Sequence, residues 1–263
     1  MENRITTQEM MPGVFQLTDR MGMHAVLLVG QKSALLVDTG YGFDDLNAAV
    51  RAVTGLPLRV LCTHGHHDHA CGNYQFDQVA MSDADMEVAR KYAGGWRERV
   101  WAQAVERGID LSDWRREDFL AAGPGACVPI GRESIALGGM TAEVYPMPGH
   151  TPGSLELFIP ERGLLLPGDN WNETTWLFFD EACPLEVYRR TLRETLEWPF
   201  ERILPPHNDH FFTKDDLKAF YADLEPERLK RISTPAPEMK PGTRVYRAAP
   251  AGRFCFCFDM DKA

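Results

Sequence analysis

A histidine-rich segment, Thr-His-Gly-His-His-Asp-His at residues 63–69, most constrains what this chain can fold into. It directly follows the apolar run at residues 58–62, which predicts a buried strand that ends at the first histidine. Neutral imidazoles and a carboxylate suit zinc and neighbouring first-row metals, and their close spacing lets several of them converge on an ion. An expression tag would lie at a terminus and would lack the aspartate. The segment therefore predicts a metal site in a loop at a strand end, with four candidate ligands: His64, His66, Asp68 and His69.

Length and composition indicate a globular chain with one main domain over residues 1–263. Hydrophobic residues make up 44% and charged residues 25%, which is ordinary for a folded protein. No apolar run is long enough to span a bilayer, and residues 1–7 lack the basic-then-apolar pattern of a signal peptide. We therefore expect a cytoplasmic protein with no membrane partner. The formal charge of -10 disfavours nucleic acid as a partner, and the oligomeric state is left open.

The six cysteines are scattered, which in a cytosolic chain favours reduced thiols over disulfides. Cys255 and Cys257 are spaced for a metal pair. However, the alternation in residues 253–259 places three phenylalanines on one face of a strand and both cysteines on the other. This pattern favours a packed closing strand.

The first half of the chain reads as strands around residues 14–18, 24–29 and 34–38, then a helix, then the strand that carries the histidines. Residues 83 to about 121 have a helical composition with glycine breaks, which predicts an inserted helical lid. Its first helix is predicted to begin at a capping box formed by Ser82 and Asp85. The tryptophans of this insertion either roof a pocket or pack the insertion onto the body; both alternatives stay open.

The second half presents three further polar side chains, each in a loop that follows a predicted strand: His150, Asp169 and His207. One helix is predicted after His207, starting at a capping box of Thr213 and Asp216. An extension over about residues 234–263 begins with a Pro-rich stretch, which predicts a polyproline II-like linker leading to a closing strand or hairpin.

The order of these markers resembles that of the metallo-β-lactamase superfamily of hydrolases. They are Asp38-Thr39-Gly40, the T-H-x-H-x-D-H pattern at 63–69, Pro-Gly-His-Thr-Pro-Gly-Ser at 148–154, Gly168-Asp169 and the final His207. The resemblance covers roughly residues 12–212. It implies an α+β fold, a four-layer αβ/βα sandwich in which helices flank two packed sheets and the metal site lies at one edge of the sheets.

The resemblance also implies a ligand set for two divalent ions, zinc foremost, with iron or manganese as alternatives. It assigns His64, His66 and His150 to the first metal, Asp68, His69 and His207 to the second, and Asp169 to a bridge between them. His67 is not a ligand in this pattern. His210 competes with His207, which is favoured because it follows the strand more directly.

Two divalent ions and two carboxylates leave a positive site, which lowers the pKa of a shared water from about 15.7 towards 7 and supplies hydroxide as the nucleophile. One metal polarises the scissile group, the other stabilises the developing charge, and Asp68 anchors its metal and shuttles the proton. The carboxylate at Asp169 argues against the lactamase branch of the superfamily, whose members lack it.

The aromatic segment at residues 170–179 has the composition of a pocket wall, with Trp171 and Trp176 as candidate substrate contacts, or of a loop that plugs the sheet edge. An apolar pocket favours a small ester, thioester or lactone. An iron-dependent sulfur dioxygenase, a phosphodiesterase of the same superfamily and a non-catalytic binding module are the alternatives.

Overall fold

The computed structural model describes residues 4–235, 243–247, 254–259 and 262. The chain forms two compact units, Met1–Val144 and Tyr145–Ala263. Among the described residues, none of the helices has the length and apolar composition that crossing a bilayer requires.

The first unit is built on a seven-stranded sheet whose strands lie side by side in chain order: β1 (Thr6–Met11), β2 (Val14–Thr18), β3 (His24–Val29), β4 (Ala34–Val37), β5 (Leu58–Leu61), β6 (Val79–Met81) and β7 (Cys127–Pro129). The first four strands pair antiparallel, and β4 to β7 pair in parallel. In the parallel part Val37 lies opposite Leu61, so β4 and β5 end at the same edge of the sheet. That edge receives the histidine segment.

The predicted strands at residues 14–18, 24–29, 34–38 and 58–62 are confirmed. β1 was not predicted. Its side chains are exposed or half-buried throughout, so the alternation of buried and exposed residues that marks a strand in sequence is missing.

The helices of the first unit are α1 (Leu46–Val53), α2 (His67–Ala70), α3 (Met86–Ala89), α4 (Arg97–Glu106) and α5 (Arg116–Ala121). Residues 83–121 are mostly helical, with a break over residues 107–115, and α4 ends just before Gly108, which has a left-handed backbone. The predicted capping box was wrong. Ser82 makes no side-chain cap, because the carboxylate of the fully buried Asp85 accepts instead a hydrogen bond from the Gly65 backbone N at 2.8 Å.

Aromatic side chains pack the helical insertion onto α1 and the sheet. Phe119 of α5 stacks on Phe43 with ring centroids 4.2 Å apart, and Trp101 and Trp114 contact the same ring at 6.1 and 6.3 Å. The Trp114 indole N–H also donates to the Phe43 carbonyl at 2.6 Å. These two tryptophans therefore pack the insertion onto the body, which is one of the two roles left open by the sequence. The lid function stays a prediction.

A hairpin of β8 (Glu133–Ala136) and β9 (Thr141–Pro146) follows. The remaining strands are β10 (Leu155–Ile159), β11 (Leu164–Leu166), β12 (Thr174–Leu177), β13 (Arg202–Ile203), β14 (Phe212–Thr213), β15 (Thr234–Pro235), β16 (Thr243–Arg247) and β17 (Cys255–Asp259). In the second unit β10, β11, β13 and β14 pair in that order. The other four form a separate sheet in the order β12-β17-β16-β15.

Three helices complete the second unit: α6 (Leu185–Thr195), α7 (Lys214–Ala222) and α8 (Pro226–Ile232). The predicted capping box of Thr213 and Asp216 is confirmed at the start of α7. The prediction of one helix after His207 was wrong, since α8 follows α7. Pro226 opens α8, a first-turn position at which a proline is tolerated because no helical partner is needed for its missing N–H.

The closing strand β17 was predicted correctly. Phe256 and Phe258 are buried and stack on each other, and Phe256 also stacks on Tyr188 of α6. Of the predicted Pro-rich linker, Thr234 and Pro235 form β15, and residues 236–242 lie outside the described residues.

Replacing Phe43 by Ala should lower the free energy of unfolding by about 3–5 kcal/mol, because it removes a fully buried ring that the insertion packs against. Urea denaturation followed by circular dichroism measures this change. The control is Val105→Ala in α4, at a residue that is 59% exposed. Its free energy of unfolding should stay within about 0.5 kcal/mol of the wild-type value. Similar losses in both variants would contradict the packing described for the insertion.

Candidate metal centre

The first unit gathers the histidines of residues 63–69 at the end of β5. His64, His66 and His69 are all buried. The ring centroid of His64 lies 4.8 Å from that of His66 and 4.0 Å from that of His69. The chain turns here, since His66 has an extended backbone and α2 begins at the next residue. The turn brings three imidazoles together.

Asp38 orients one of these imidazoles. It follows β4 with a left-handed backbone (φ 66°), and its carboxylate accepts hydrogen bonds from the Thr63 backbone N at 2.7 Å and the Thr63 hydroxyl at 3.0 Å. Its Oδ2 lies 2.9 Å from Nδ1 of His69. Because an ionised carboxylate only accepts, Nδ1 of His69 carries the proton and Nε2 presents its lone pair.

The Asp68 carboxylate lies between two histidines, with its Oδ1 4.0 Å from His67 Nδ1. Asp68 Oδ2 lies 3.9 Å from His69 Nε2, so this carboxylate belongs to the histidine cluster. The His67 ring instead lies among aromatic rings, with centroids 5.6 Å from Tyr41 and 5.9 Å from Trp96. The ring contacts of His67 are therefore aromatic, and its exclusion from the ligand set stays a prediction.

The helical insertion holds the histidine loop at Gly65. A Cβ atom at this position would lie 2.5 Å from the backbone N of Ala89 and 2.7 Å from the carbonyl O of Asp85, closer than packed atoms approach. The Asp85 carboxylate accepts from the Gly65 N–H in the same contact. A side chain at residue 65 would therefore displace the loop that carries the imidazoles.

In the second unit His150 is held by two hydrogen bonds. Its backbone N donates to Asn170 Oδ1 at 3.0 Å, and its Nδ1 lies 2.6 Å from the Trp176 carbonyl O. A carbonyl only accepts, so Nδ1 is the donor and Nε2 presents its lone pair, as in His69.

Asp169 and His207 lie beside His150. Asp169 Oδ2 is 3.7 Å from His150 Nε2, and Asp169 Oδ1 is 3.2 Å from His207 Nε2. The competing residue, His210, pairs with the exposed Asp209 at 3.0 Å and contacts the ring of Phe212. The geometry within this unit favours His207 as the last ligand.

A buried carboxyl group supports this loop from behind. Glu156 of β10 accepts hydrogen bonds from Asn170 Nδ2 and the Thr195 hydroxyl, both at 2.8 Å, and Asn170 Nδ2 also donates to the Met147 carbonyl. Burial raises the pKa of Glu156 to about 7, although the two hydrogen bonds lower it. Asn170 thus connects the backbone of His150 to a carboxyl group that is easily protonated.

The two candidate substrate contacts, Trp171 and Trp176, differ in burial. Trp171 is fully buried and packs against Phe212 and Phe254 at centroid distances of 5.1 and 5.4 Å, so its role is in the core of the second unit. Trp176 lies on β12 with 43% of its surface exposed. Only Trp176 has the exposure that substrate contact requires.

A family model for the metallo-beta-lactamase superfamily matches residues 19–207, a span that includes parts of both units. The chain belongs to this superfamily. It is 33% identical over 210 residues to a hydroxyacylglutathione hydrolase from Anaeromyxobacter dehalogenans, a match that covers 78% of this chain and 67% of the relative. It is 28% identical over 225 residues to acyl-coenzyme A thioesterase MBLAC2 from Bos taurus, covering 70% of this chain and 72% of the relative.

Solved structures of the superfamily have the same fold. A metallo-beta-lactamase from Pontibacter korlensis gives a TM-score of 0.59 at 16% identity, covering 84% of this chain and 99% of the other. A sec-alkylsulfatase from Pseudomonas sp. gives a TM-score of 0.62 at 17% identity, covering 85% of this chain and 41% of the other. The predicted α+β fold of the metallo-β-lactamase type is confirmed, and the chain is a metallo-hydrolase as expected.

The donor atoms in both units fit divalent metal ions of the kind that this superfamily binds. They are imidazole nitrogens and carboxylate oxygens, which suit zinc, iron and manganese. Burial raises the pKa of Cys71 to about 12 and that of Cys62 well above its ordinary value, which favours the protonated thiol at both positions.

The residues that orient the ligands were missed from the sequence. Asp38 was recognised as a marker without a role, and its bond to His69 joins two loops that are 31 residues apart. The sequence does contain a signal for Glu156, because it is a charged residue inside the apolar strand β10. A buried charge of this kind needs partners, which here are Asn170 and Thr195.

Replacing Asp38 by Asn should lower zinc affinity about 10- to 100-fold, because the amide no longer holds His69 with a charged acceptor. Asn tolerates the left-handed backbone of this position, so the fold should persist. Competition with a chromogenic chelator measures the affinity. Asp77→Asn, at an exposed position of the same unit, is the matched control, and equal affinities in the two variants would refute this role for Asp38.

Glu156 should make stability fall as the pH rises. Its pKa of about 7 in the folded protein lies above the ordinary value of 4.5, so the folded state retains a proton that the unfolded state releases in this window. Relative to Glu156→Gln, the wild type should lose up to about 3 kcal/mol of unfolding free energy between about pH 4.5 and 7.

Urea titrations across this pH range measure the difference between the two proteins. Glu201→Gln, at an exposed position of the same unit, is the control for loss of a carboxylate. Parallel stability profiles of the wild type and Glu156→Gln would show that the buried carboxyl group is not the source of the pH dependence.

Proposed function

We propose that this chain is a binuclear metal-dependent hydrolase that cleaves thioesters. His64, His66 and His150 would hold the first metal, Asp68, His69 and His207 would hold the second, and Asp169 would bridge the two. Zinc is the proposed metal.

The position of Asp169 is the observation that carries this proposal. Its Oδ2 lies 3.7 Å from Nε2 of His150, a proposed ligand of the first metal, and 3.3 Å from Nε2 of His207, a proposed ligand of the second. One carboxylate oxygen has two lone pairs and can bridge two cations, so an oxygen placed between these two imidazoles suits a bridging role. The tautomers of His69 and His150 add support, because each presents Nε2 to an ion.

Bound together, two divalent ions lower the pKa of water and so supply a nucleophile near neutral pH while polarising the scissile carbonyl. The protein holds the ligands and keeps their protons on the outer nitrogens. We assign proton transfer to Asp68, whose carboxylate lies beside His69 while 16% of its side chain remains exposed, so that a proton can pass on to solvent. The buried thiols of Cys62 and Cys71 have raised pKa values, which disfavours a cysteine nucleophile.

The two types of curated relative support a thioester as the substrate, since both an acyl-coenzyme A thioesterase and a hydroxyacylglutathione hydrolase cleave this bond. The exposed ring of Trp176 on the strand that holds His150 suits an apolar substrate group better than a polyanion. Small esters and lactones react through the same carbonyl chemistry and belong in the same assay.

An iron-dependent sulfur dioxygenase is the second candidate, because imidazole and carboxylate donors suit iron as well as zinc. This activity would need a single redox-active iron in place of two zinc ions. Oxygen uptake on a persulfide, measured with the iron-loaded protein, separates this activity from hydrolysis. A phosphodiesterase activity is tested by the same substrate panel.

Three further expectations are part of the proposal. Both units form one metallo-hydrolase domain, with residues 83–121 as a lid-like insertion and the segment from about residue 234 as an extension. The substrate is a small molecule, and neither nucleic acid nor a membrane is a partner. The location is cytoplasmic, where the scattered cysteines of the sequence would stay reduced.

The decisive experiment is metal content per chain followed by a thioester, ester, lactone and phosphodiester panel on the same preparation. We expect two metals per chain and turnover of thioesters. Asp169→Ala should lower metal content and reduce kcat/KM by at least about 100-fold, because the bridging charge is lost. Unchanged metal loading and turnover in this variant would contradict the assignment.

Two pairs of neighbouring histidines provide matched controls for the ligand assignment. His66→Ala and His207→Ala should lose metal and activity, whereas His67→Ala and His210→Ala should retain most of both. Equal losses within either pair would show that the ligands are assigned to the wrong residues.

A further inference from the structure

Three aromatic side chains next to His150 form an apolar surface, which we call the aromatic ledge: Trp176, Phe178 and Phe179. Trp176 is one of two large hydrophobic side chains that are exposed among the described residues, the other being Val105. Phe178 and Phe179 are partly buried and stack at 4.7 Å, and Phe178 contacts Trp176 at 5.6 Å. The three rings are therefore contiguous.

The ledge is joined directly to a proposed metal ligand. The Trp176 carbonyl O accepts the hydrogen bond from His150 Nδ1, and the Phe179 ring meets the His150 ring edge-on at 5.8 Å. An apolar group that lies on these rings is therefore held beside the imidazole of His150.

The carboxy-terminal strand fixes the ledge from its other side. β12 pairs in parallel with β17, with Trp176 opposite Cys257 and Leu177 opposite the buried Phe258. Beyond the strand, the Lys262 ammonium donates to the carbonyls of Phe179, Asp180 and Ala182 at 2.8, 2.8 and 2.7 Å. One cation thus holds the turn that carries Phe179.

We propose that the aromatic ledge binds the acyl chain of the substrate, and that Lys262 is a positioning residue that holds it in place. This inference rests on the proposed thioesterase function and specifies its substrate as an acyl thioester with an extended alkyl chain. Exposed aromatic rings at a reaction site remove methylene groups from water. Each added methylene therefore strengthens binding until the alkyl chain is longer than the aromatic surface.

The test compares acetyl, butanoyl, hexanoyl and octanoyl thioesters of N-acetylcysteamine, which share one small uncharged thiol. The metal-loaded wild type should show kcat/KM rising with chain length. In Trp176→Ser the octanoyl-to-acetyl ratio of kcat/KM should fall about 10-fold, while metal content stays at the wild-type value. Val105→Ser, which removes the other exposed hydrophobic side chain, should leave the ratio unchanged.

Lys262 is tested by the same ratio. Lys262→Gln should lower it about threefold through a higher KM for the octanoyl substrate, and Lys262→Arg should restore it, because a cation again faces the three carbonyls. A purely structural role would instead change kcat for all chain lengths together.

Binding of an octyl thioether analogue, measured by calorimetry, separates failure of the ledge from failure of the proposed function. Absence of all thioester turnover, with analogue binding that weakens in Trp176→Ser, would refute the thioesterase and leave the ledge as an alkyl site. Turnover with an unchanged octanoyl-to-acetyl ratio in Trp176→Ser would overturn the ledge alone. A change in oligomeric state on Trp176→Ser, with the ratio unchanged, would assign the surface to contact between copies.

Discussion

Each imidazole of the proposed metal site has two ring nitrogens, and the structure depends on which acceptor satisfies the nitrogen that faces away from the ion. A buried imidazole binds a cation through one nitrogen only if the other is protonated and has an acceptor. His69 finds that acceptor in the Asp38 carboxylate and His150 in the Trp176 carbonyl. Asp38 directly follows β4 and Trp176 lies on β12, so each acceptor comes from another segment of the same unit and sets the tautomer of the proposed ligand.

Local patterns were readable from the sequence because they depend on neighbouring residues. The strand that ends at His64, the helical insertion and the capping box at Thr213 all follow from spacing within about ten residues. Ligand types were readable for the same reason. The superfamily resemblance then supplied the order of the distant ligands, which no local pattern contains.

Contacts between distant segments were not predictable. The composition of the aromatic segment after Asp169 predicts a pocket wall or a plug. Part of this segment is instead the strand β12, because it pairs with β17, which lies about 80 residues later in the chain. The bond between Gly65 and Asp85 likewise replaced a predicted helix cap with a tertiary contact. In both cases a buried hydrogen-bonding group found a better partner far away along the chain than beside it.

The central claim is that the ligands of both units hold one pair of ions. X-ray absorption spectroscopy of the zinc-loaded protein tests it most directly, because scattering between the metals reports their separation. We expect two zinc ions per chain about 3.5–4 Å apart, with nitrogen and oxygen donors and no sulfur. A single zinc ion, or two ions with no metal-to-metal scattering at that distance, would contradict it.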